Sequence, residues 1–487
     1  MTPFPFDNTY AKLPDFFFQR VDPSPAGSPV MIQFNRDLAG KLGLDVDGLD
    51  SPEGLEYFSG NRIPEGADPI ALAYAGHQFG GFSPQLGDGR ALLLGEVIGQ
   101  DGVRRDIQLK GSGPTPFSRR GDGLSALGPV IREYVLSEAM AALGVPTTRA
   151  LAAVATGDTV ARESMLPGGV FTRVAKSHIR IGTFQFFAAR GDWGNVRALA
   201  DYAIGRHYPE TREADNPYLA LLAGVVEKQA KLIAHWMQLG FIHGVMNTDN
   251  MSISGETIDY GPCAFMDAYH PAKVFSSIDQ NGRYAYAQQG PIGHWNLVRF
   301  AETLIPLIDN DQEKAIELAE GAIDRYPEIH GEALRARYAE KIGIESNSEN
   351  DWELVQQLLS AMAAGRADFT LVFRHLSGAL ESGDDELVES LFSESGAIGP
   401  WMKSWRERIP EDERANAVAL MRRINPVFIP RNHRVEEVIA AGYQGDYKPF
   451  RSINAVLQNP FSEQSESVEY ELAPEPSEVV QSTFCGT

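Results

Sequence analysis

The spacing of hydrophobic and polar positions changes about a third of the way along the chain. Between about Ala71 and Arg173, short apolar runs such as ALLLGEV (91–97) and DIQLK (106–110) are separated by GDG, GQDG and GSG. Apolar runs of this length between glycine-rich turns are typical of antiparallel strands. The segments TRALAAVATG and GVFTRVA have the same pattern, so a strand-rich N-terminal region is predicted.

Helical spacing appears once among these strands and then dominates the rest of the chain. Pro129 suits a first helical turn, IREYVLSEAMAAL follows it, and Gly144 supplies the stop. The clearest later helix begins at Asn216-Pro217 and ends at Gly240, with apolar residues three and four positions apart. Further helical patterns cover residues 295–308, 311–322, 333–342 and 352–364.

These patterns predict an α+β protein in three parts. A small strand-rich N-lobe with one key helix takes residues 1–175, and a large helical C-lobe takes residues 176–461. The segment 462–487 is acidic and polar without a core pattern, so we expect a flexible tail.

Composition excludes several classes of function. The 487 residues carry a formal net charge of −22, so no excess of cations is available to bind nucleic acid or an anionic membrane. Two cysteines, Cys263 and Cys485, are too few for a disulfide framework or a cysteine-rich zinc site. The N-terminus lacks a signal-peptide pattern and no apolar stretch is long enough to span a membrane, so a cytoplasmic protein is expected.

The segment behind the long helix carries the strongest chemical signal. His243 is followed by Asp249-Asn250 and then by Asp259 in a D-Y-G triplet. Oxygens of Asn and Asp from two adjacent loops suit a divalent cation that bridges phosphates, as in the catalytic loop and D-F-G triplet of protein kinases. Val245 stands where a kinase has its catalytic Asp, and we expect His243 to be a structural hydrogen-bonder.

A kinase-like, bilobal fold also requires an ion pair in the N-lobe. Lys110 ends a predicted strand, as the kinase strand lysine does, and we expect it to be placed at the surface. The helix that follows offers Glu133 and Glu138 as partners, and Glu133 is chosen because it lies nearer the start of the helix.

Further positions suit a nucleotide. Gly87 and Gly89 would let a phosphate approach bare backbone, with Arg90 beside them. Arginines bind phosphate oxygens in bidentate fashion, and clustered cations are unexpected in so acidic a chain. The cations that suggest a triphosphate site are Arg90, Lys110, Arg120, Arg173 and Arg180.

Several runs together resemble the selenoprotein O family, whose bacterial members are called YdiU. They include GDGR, QLKGSG, PFSRRGDG, FTRVAKSHIRIGTF, HGVMNTDNMSISGETIDYGPC and NPVFIPRNH, and the resemblance covers most of the chain. It implies a protein-kinase-like fold without the usual catalytic Asp. It also implies that ATP binds inverted relative to kinases and that AMP is transferred to hydroxyl groups of proteins.

The resemblance also implies roles for individual residues. Asp249 would be the catalytic base, and Asn250 and Asp259 would hold Mg²⁺ or Mn²⁺. Cys485 stands in the place of a family selenocysteine, and we expect it to form a redox pair with Cys263. The nucleotide would be held by Gly87, Gly89, Arg90, Lys110, Asp122, Gly123, Arg173, Arg180 and Asp259.

The expected protein is a monomeric protein adenylyltransferase that uses ATP, with UTP as an alternative nucleotide. Two other functions stay open from the sequence. One is a kinase in which another group replaces the missing Asp and the γ-phosphate is transferred. The other is a pseudokinase that binds ATP and serves as a scaffold.

Overall fold

The computed structural model describes residues 2–345, 348–394 and 396–484, and these form a mixed α/β protein. Most strands lie before residue 176, and most helices follow it. The strands are β1 (Phe18–Arg20), β2 (Val30–Phe34), β3 (Ile70–Leu72), β4 (Gly76–Gln78), β5 (Gly81–Ser83), β6 (Ala91–Ile98), β7 (Arg104–Lys110), β8 (Ser125–Ala126), β9 (Arg149–Ala161), β10 (Met165–Ala175), β11 (Phe241–Ile242) and β12 (Ala264–Phe265).

The helices begin within the strand-rich part of the chain. They are α1 (Arg36–Lys41), α2 (Val46–Leu49), α3 (Pro52–Ser59), α4 (Leu127–Ala142), α5 (Ile181–Ala188), α6 (Trp193–His207), α7 (Pro217–Gln238), α8 (Gln289–Ile308), α9 (Gln312–Ile323), α10 (Tyr326–Lys341), α11 (Glu349–Gly365), α12 (Phe369–Ser382), α13 (Glu386–Glu389), α14 (Gly399–Arg408), α15 (Arg414–Ile424), α16 (Asn432–Tyr443) and α17 (Lys448–Leu457).

The main sheet is antiparallel, in the order β1-β3-β6-β7-β10-β9-β2, with β8 beside β10. Side chains alternate between its faces. Ile107 and Leu109 of β7 join a core with residues of α1 to α3, so Gln108 and Lys110 point to the opposite face. Helix α4 packs against β9 and β10. The alternation therefore places two polar side chains of β7 at the boundary between the sheet and the helical part.

The N-terminal part departs from the prediction of one key helix. Helices α1, α2 and α3 precede α4, and they contain 6, 4 and 8 residues. Apolar periodicity needs a window of about 11–18 residues, so helices this short leave little signal in the sequence. Helix α4 ends before Gly144, whose φ of 80° lies in the left-handed region that glycine adopts easily.

The acidic tail contacts the helical part of the protein. Arg374 pairs with Glu463 at 3.1 Å, and Arg431 donates to the carbonyl of Glu471 at 2.8 Å. Near the end of the described chain, Thr483 is 2% exposed and pairs in parallel with Ser276. The described part of the tail therefore contacts the rest of the chain at these positions, and its flexibility stays a prediction. Within the described residues, no helix is long and apolar enough to cross a membrane.

Candidate active site

A cavity of about 690 Å³ lies between the main sheet and the loops that follow α7. The residues that the sequence assigned to the nucleotide, the metal and the base all line it. They are Gly87, Gly89, Arg90, Lys110, Asp122, Gly123, Arg173, Arg180, Asp249, Asn250 and Asp259. Arg119 and Arg162 line it as well, whereas Arg120 is not among the lining residues.

The glycines at the cavity allow two loops to pack together. Gly87 has a φ of 77°, and a Cβ there would lie 2.4 Å from the ring of Phe117. Gly123 has a φ of 67°, and its Cβ would lie 2.1 Å from the carbonyl oxygen of Gly113. A larger residue at either position would therefore separate the loops that form the cavity wall. This packing is a second reason for glycine, besides the approach of a phosphate to bare backbone.

Lys110 and Glu133 meet at the end of β7. Lys110 Nζ donates to Glu133 Oε2 at 2.5 Å, and Glu133 Oε1 accepts from Arg173 Nη1 at 3.1 Å. Glu138 instead accepts two hydrogen bonds from Arg149, at 2.8 and 2.7 Å. The Lys110 side chain is only 15% exposed, so the expectation of a surface lysine is wrong. The lysine lies inside a charge network that a strand end alone does not reveal.

Asp259 is the second carboxylate of this charge network. Its carboxylate accepts from Arg173 Nη1 at 2.6 Å, and it faces Arg180 Nη2 at 3.3 Å and Lys110 Nζ at 3.4 Å. Burial alone would raise its pKa, but these three cations hold the pKa of Asp259 well below its usual range. Its backbone φ is 64°, an unfavourable conformation for a residue other than glycine. An ionised carboxylate is thus held in a strained turn at the cavity.

Asp249 has a different environment. It lies on a short 3₁₀ turn, is 7% exposed, and its Oδ2 accepts from Gln78 Nε2 at 3.1 Å. Its Oδ1 is buried and has no hydrogen-bond partner among the described residues. Burial raises the pKa of Asp249 to about 6. A carboxylate with a free oxygen and a raised pKa is suited to take up a proton.

The loop between α7 and Asp249 is held by hydrogen bonds between side chains and backbone groups. His243 is fully buried, its backbone N–H donates to Gln289 Oε1 at 3.0 Å, and its Nε2 lies 2.8 Å from the carbonyl oxygen of Ile258. A carbonyl can only accept, so Nε2 carries the proton, and burial lowers the pKa of this histidine. His243 thus joins the loops before Asn250 and Asp259, and Val245 contributes no carboxylate.

The donor set fits a metal ion that also binds phosphate. Among the residues of the three described ranges, no group of three or more His, Cys, Asp or Glu side chains could hold a metal. Asn250 Nδ2 donates to the carbonyl of Val245 at 2.9 Å, which leaves its Oδ1 as the ligand atom. Together with the carboxylate of Asp259, this provides oxygens of the type that Mg²⁺ prefers.

Sequence reasoning missed Asp88, which lies between two of the motif residues it selected. Asp88 is 2% exposed, accepts from Leu72 N at 3.2 Å and Gln108 Nε2 at 3.1 Å, and faces Arg180 at 3.7 Å. Asp122, assigned to the nucleotide, pairs with Arg162 at 2.8 Å. The GDGR motif was the available signal for Asp88. The partners of Asp88 are Leu72, Gln108 and Arg180, which lie outside this motif, so the motif alone could not reveal that Asp88 is buried.

Cys263 is buried beside the loop that carries Asp259. Its predicted partner, Cys485, lies outside the described residues. Thr483, two residues before Cys485, contacts the loop that carries Asp259: its Oγ1 donates to the carbonyl of Pro262 at 2.5 Å. The redox pair stays a prediction.

Comparison with known proteins gives one consistent result. Residues 2–458 match the family model described as protein adenylyltransferase SelO. The chain is 59% identical to the protein nucleotidyltransferase YdiU of Rhodopseudomonas palustris strain HaA2, with 99% of each chain covered. It is 57% identical to the protein of the same name from Bradyrhizobium sp. strain ORS 278, with the same coverage. A third such protein, from Rhizobium johnstonii, is 58% identical, with 99% of this chain and 97% of the relative covered.

Proposed function

The chain belongs to the SelO family of protein adenylyltransferases, and from this membership we propose that it transfers AMP from ATP to Ser, Thr or Tyr hydroxyls of other proteins. Its product would be a phosphodiester between the acceptor oxygen and AMP, and the leaving group would be pyrophosphate.

The position of Asp249 is the observation that carries the proposal. The carboxylate lies in a cavity lined by Lys110, Arg173 and Arg180, and one of its oxygens has no partner within the described chain. Val245 occupies the place of the kinase base and cannot accept a proton. Asp249 is therefore the group best placed to serve an acceptor hydroxyl.

The residues of the cavity would have different roles in the reaction. Asp249 takes the proton of the acceptor hydroxyl as the oxygen forms its bond to the α-phosphorus. The bond between the α-phosphorus and the bridging oxygen breaks, and its electron pair leaves with pyrophosphate. The side chains of Lys110, Arg173 and Arg180 stabilise the negative charge that develops on that leaving group.

Mg²⁺ or Mn²⁺ would be held by Asn250 Oδ1 and Asp259, with phosphate oxygens completing its ligands. When bound, the cation supplies charge neutralisation and fixes the orientation of the triphosphate. The pairing of Asp259 with Arg173 at 2.6 Å keeps the carboxylate ionised and oriented toward the cavity.

We propose a protein-kinase-like arrangement for this chemistry. The N-lobe would be residues 1–175, the C-lobe residues 176–461, and residues 462–487 an acidic, flexible tail. ATP would bind in the orientation opposite to that in kinases, with UTP as an alternative. The enzyme would work as a cytoplasmic monomer.

ATP labelled separately at the α- and γ-phosphates tests the proposal. The acceptors are proteins of a lysate, with Mg²⁺ and Mn²⁺ in parallel reactions. We expect protein-bound label from the α position only, and its loss in Asp249→Asn, which keeps the size of the side chain. Label from the γ position would show a kinase. Absence of both labels, with ATP still bound, would support the scaffold function.

A further inference from the structure

A small hairpin stands directly beside Asp249. It is formed by β4 and β5, whose residues pair from Gly76 with Ser83 to Gln78 with Gly81. His77 N donates to Thr248 Oγ1 at 2.7 Å, and Gln78 Nε2 donates to Asp249. The hairpin is therefore fixed to the same turn that carries the candidate base.

The tip of this hairpin presents an aromatic side chain to solvent. Phe79 is 38% exposed and has a φ of 51°, a backbone conformation that residues other than glycine rarely adopt. Its N–H donates to Asn247 Oδ1 at 3.1 Å and to Tyr284 OH at 3.2 Å, and these bonds hold the strained backbone. Backbone strain that is held in this way is concentrated at functional sites.

Ile278 belongs to a separate segment of the chain and is 59% exposed. Its segment is fixed on both sides. Asp279 accepts from Arg283 N at 2.9 Å and from Tyr284 N at 2.8 Å. On the other side, Thr483 N donates to the carbonyl of Phe275 at 2.7 Å, and Thr483 O accepts from Ser277 N at 3.0 Å. The exposed isoleucine is thus held in place by the rest of the chain.

A groove of about 630 Å³ is lined by Phe79 and by residues 278–283. Phe79 and Ile278 line both this groove and the cavity that contains Asp249, so the groove opens into the cavity at these two side chains. The other lining residues are mostly polar, among them Gln280, Asn281, Gln288 and Arg283, whereas Ile292 is apolar. Two exposed apolar side chains beside polar residues suit a peptide backbone with one apolar side chain.

We propose that this groove binds the segment of the protein substrate that carries the acceptor hydroxyl. An apolar side chain next to the acceptor residue packs against Phe79 and Ile278, and the peptide continues along the mostly polar remainder of the groove. The inference rests on the proposed function, since the acceptor must reach Asp249 from outside the nucleotide cavity. The continuity of groove and cavity past the hairpin provides that route.

The variant Ile278→Ser tests this inference, with Leu387→Ser as its matched control. Both residues are exposed, at 59% and 64%, and Leu387 lines neither the groove nor the cavity. A synthetic peptide library presents Ser, Thr or Tyr with different neighbours. Transfer from α-labelled ATP and binding of fluorescent peptides by anisotropy are both measured, together with the Kd of ATP.

We expect the wild-type protein and Leu387→Ser to prefer peptides with an apolar neighbour. In Ile278→Ser this preference falls roughly tenfold, the size expected for a lost apolar contact in a pocket, while the Kd of ATP changes by less than about twofold. An unchanged preference in Ile278→Ser, or its absence in wild type, overturns the inference. A Kd of ATP that rises with the loss of Ile278 would assign this side chain to the nucleotide instead.

The two readouts separate failure of this inference from failure of the proposed function. If α-label is transferred neither to the peptides nor to the lysate proteins, the proposed function fails, and anisotropy still shows whether apolar peptides bind through Ile278. If α-label is transferred without regard to the neighbouring residue, the proposed function holds and the groove assignment is wrong.

Discussion

Replacing Asp249 by Asn should make the protein more stable while it removes activity. The substitution keeps the size of the side chain and removes the negative charge. Burial raises the pKa of Asp249 from 3.8 to about 6, so the folded protein disfavours the ionised form. Above pH 6 both the folded and unfolded states carry the charge, and its burial lowers the free energy of unfolding by roughly 3 kcal/mol.

The sign of the pH dependence follows from this shift. Between pH 3.8 and about 6 the folded state holds a proton that the unfolded state has lost, so this contribution falls as pH rises. The Asn amide introduces a buried N–H without a partner, which costs on the order of 1 kcal/mol. We therefore expect Asp249→Asn to be more stable than wild type by about 2 kcal/mol at pH 8. The advantage should disappear at pH 4.

Thermal melting of both proteins in buffer with a chelator measures this difference, with Asp106→Asn as the control. Asp106 is also a buried carboxylate, but Arg206 and His178 hold its pKa at about 2, so its ionised form stabilises the fold at pH 8 and its replacement should lower the melting temperature. Transfer by Asp249→Asn should fall by roughly 10²–10⁴-fold, as for a lost general base, with ATP still bound. A lower melting temperature for Asp249→Asn at pH 8 would refute the reasoning about its buried, unpartnered oxygen.

Further substitutions test the rest of the site. Glu133→Ala should reduce transfer at least tenfold, because Lys110 loses its partner at 2.5 Å. Glu138→Ala should leave transfer within about twofold of wild type. Equal losses in the two variants would contradict the assignment of Glu133 as the partner of Lys110. Asp259→Ala should abolish transfer with either Mg²⁺ or Mn²⁺, and wild-type rates would exclude it as a metal ligand. Mild oxidation should join Cys263 to Cys485 and lower activity, whereas mass spectra without a crosslinked peptide would exclude the redox pair.

Local signals in the sequence predicted much of the fold. The helix predicted from Asn216-Pro217 to Gly240 is α7, and the Asn216 side chain caps it by accepting from Leu219 N. The runs ALLLGEV and DIQLK lie in β6 and β7, which pair antiparallel as expected. These elements are long or are bounded by strong stop signals, so a single sequence is enough to recognise their hydrophobic patterns.

Long-range contacts explain what the sequence could not reveal. The hairpin around Phe79 contains strands of three residues and is held by Asn247 and Thr248, which lie far along the chain. The burial of Lys110 likewise depends on Glu133 and Asp259. A residue pattern reports periodicity, whereas these positions depend on which distant side chains the fold brings together.

The mass of the modified acceptor protein tests the central claim most directly. An acceptor protein from a lysate is incubated with ATP, divalent metal and either wild type or Asp249→Asn, and its intact mass is then determined. The account predicts a mass increase of one adenylyl group on a Ser, Thr or Tyr with wild type, release of pyrophosphate, and no increase with Asp249→Asn. An increase of one phosphoryl group, or an equal adenylyl increase with Asp249→Asn, would contradict it.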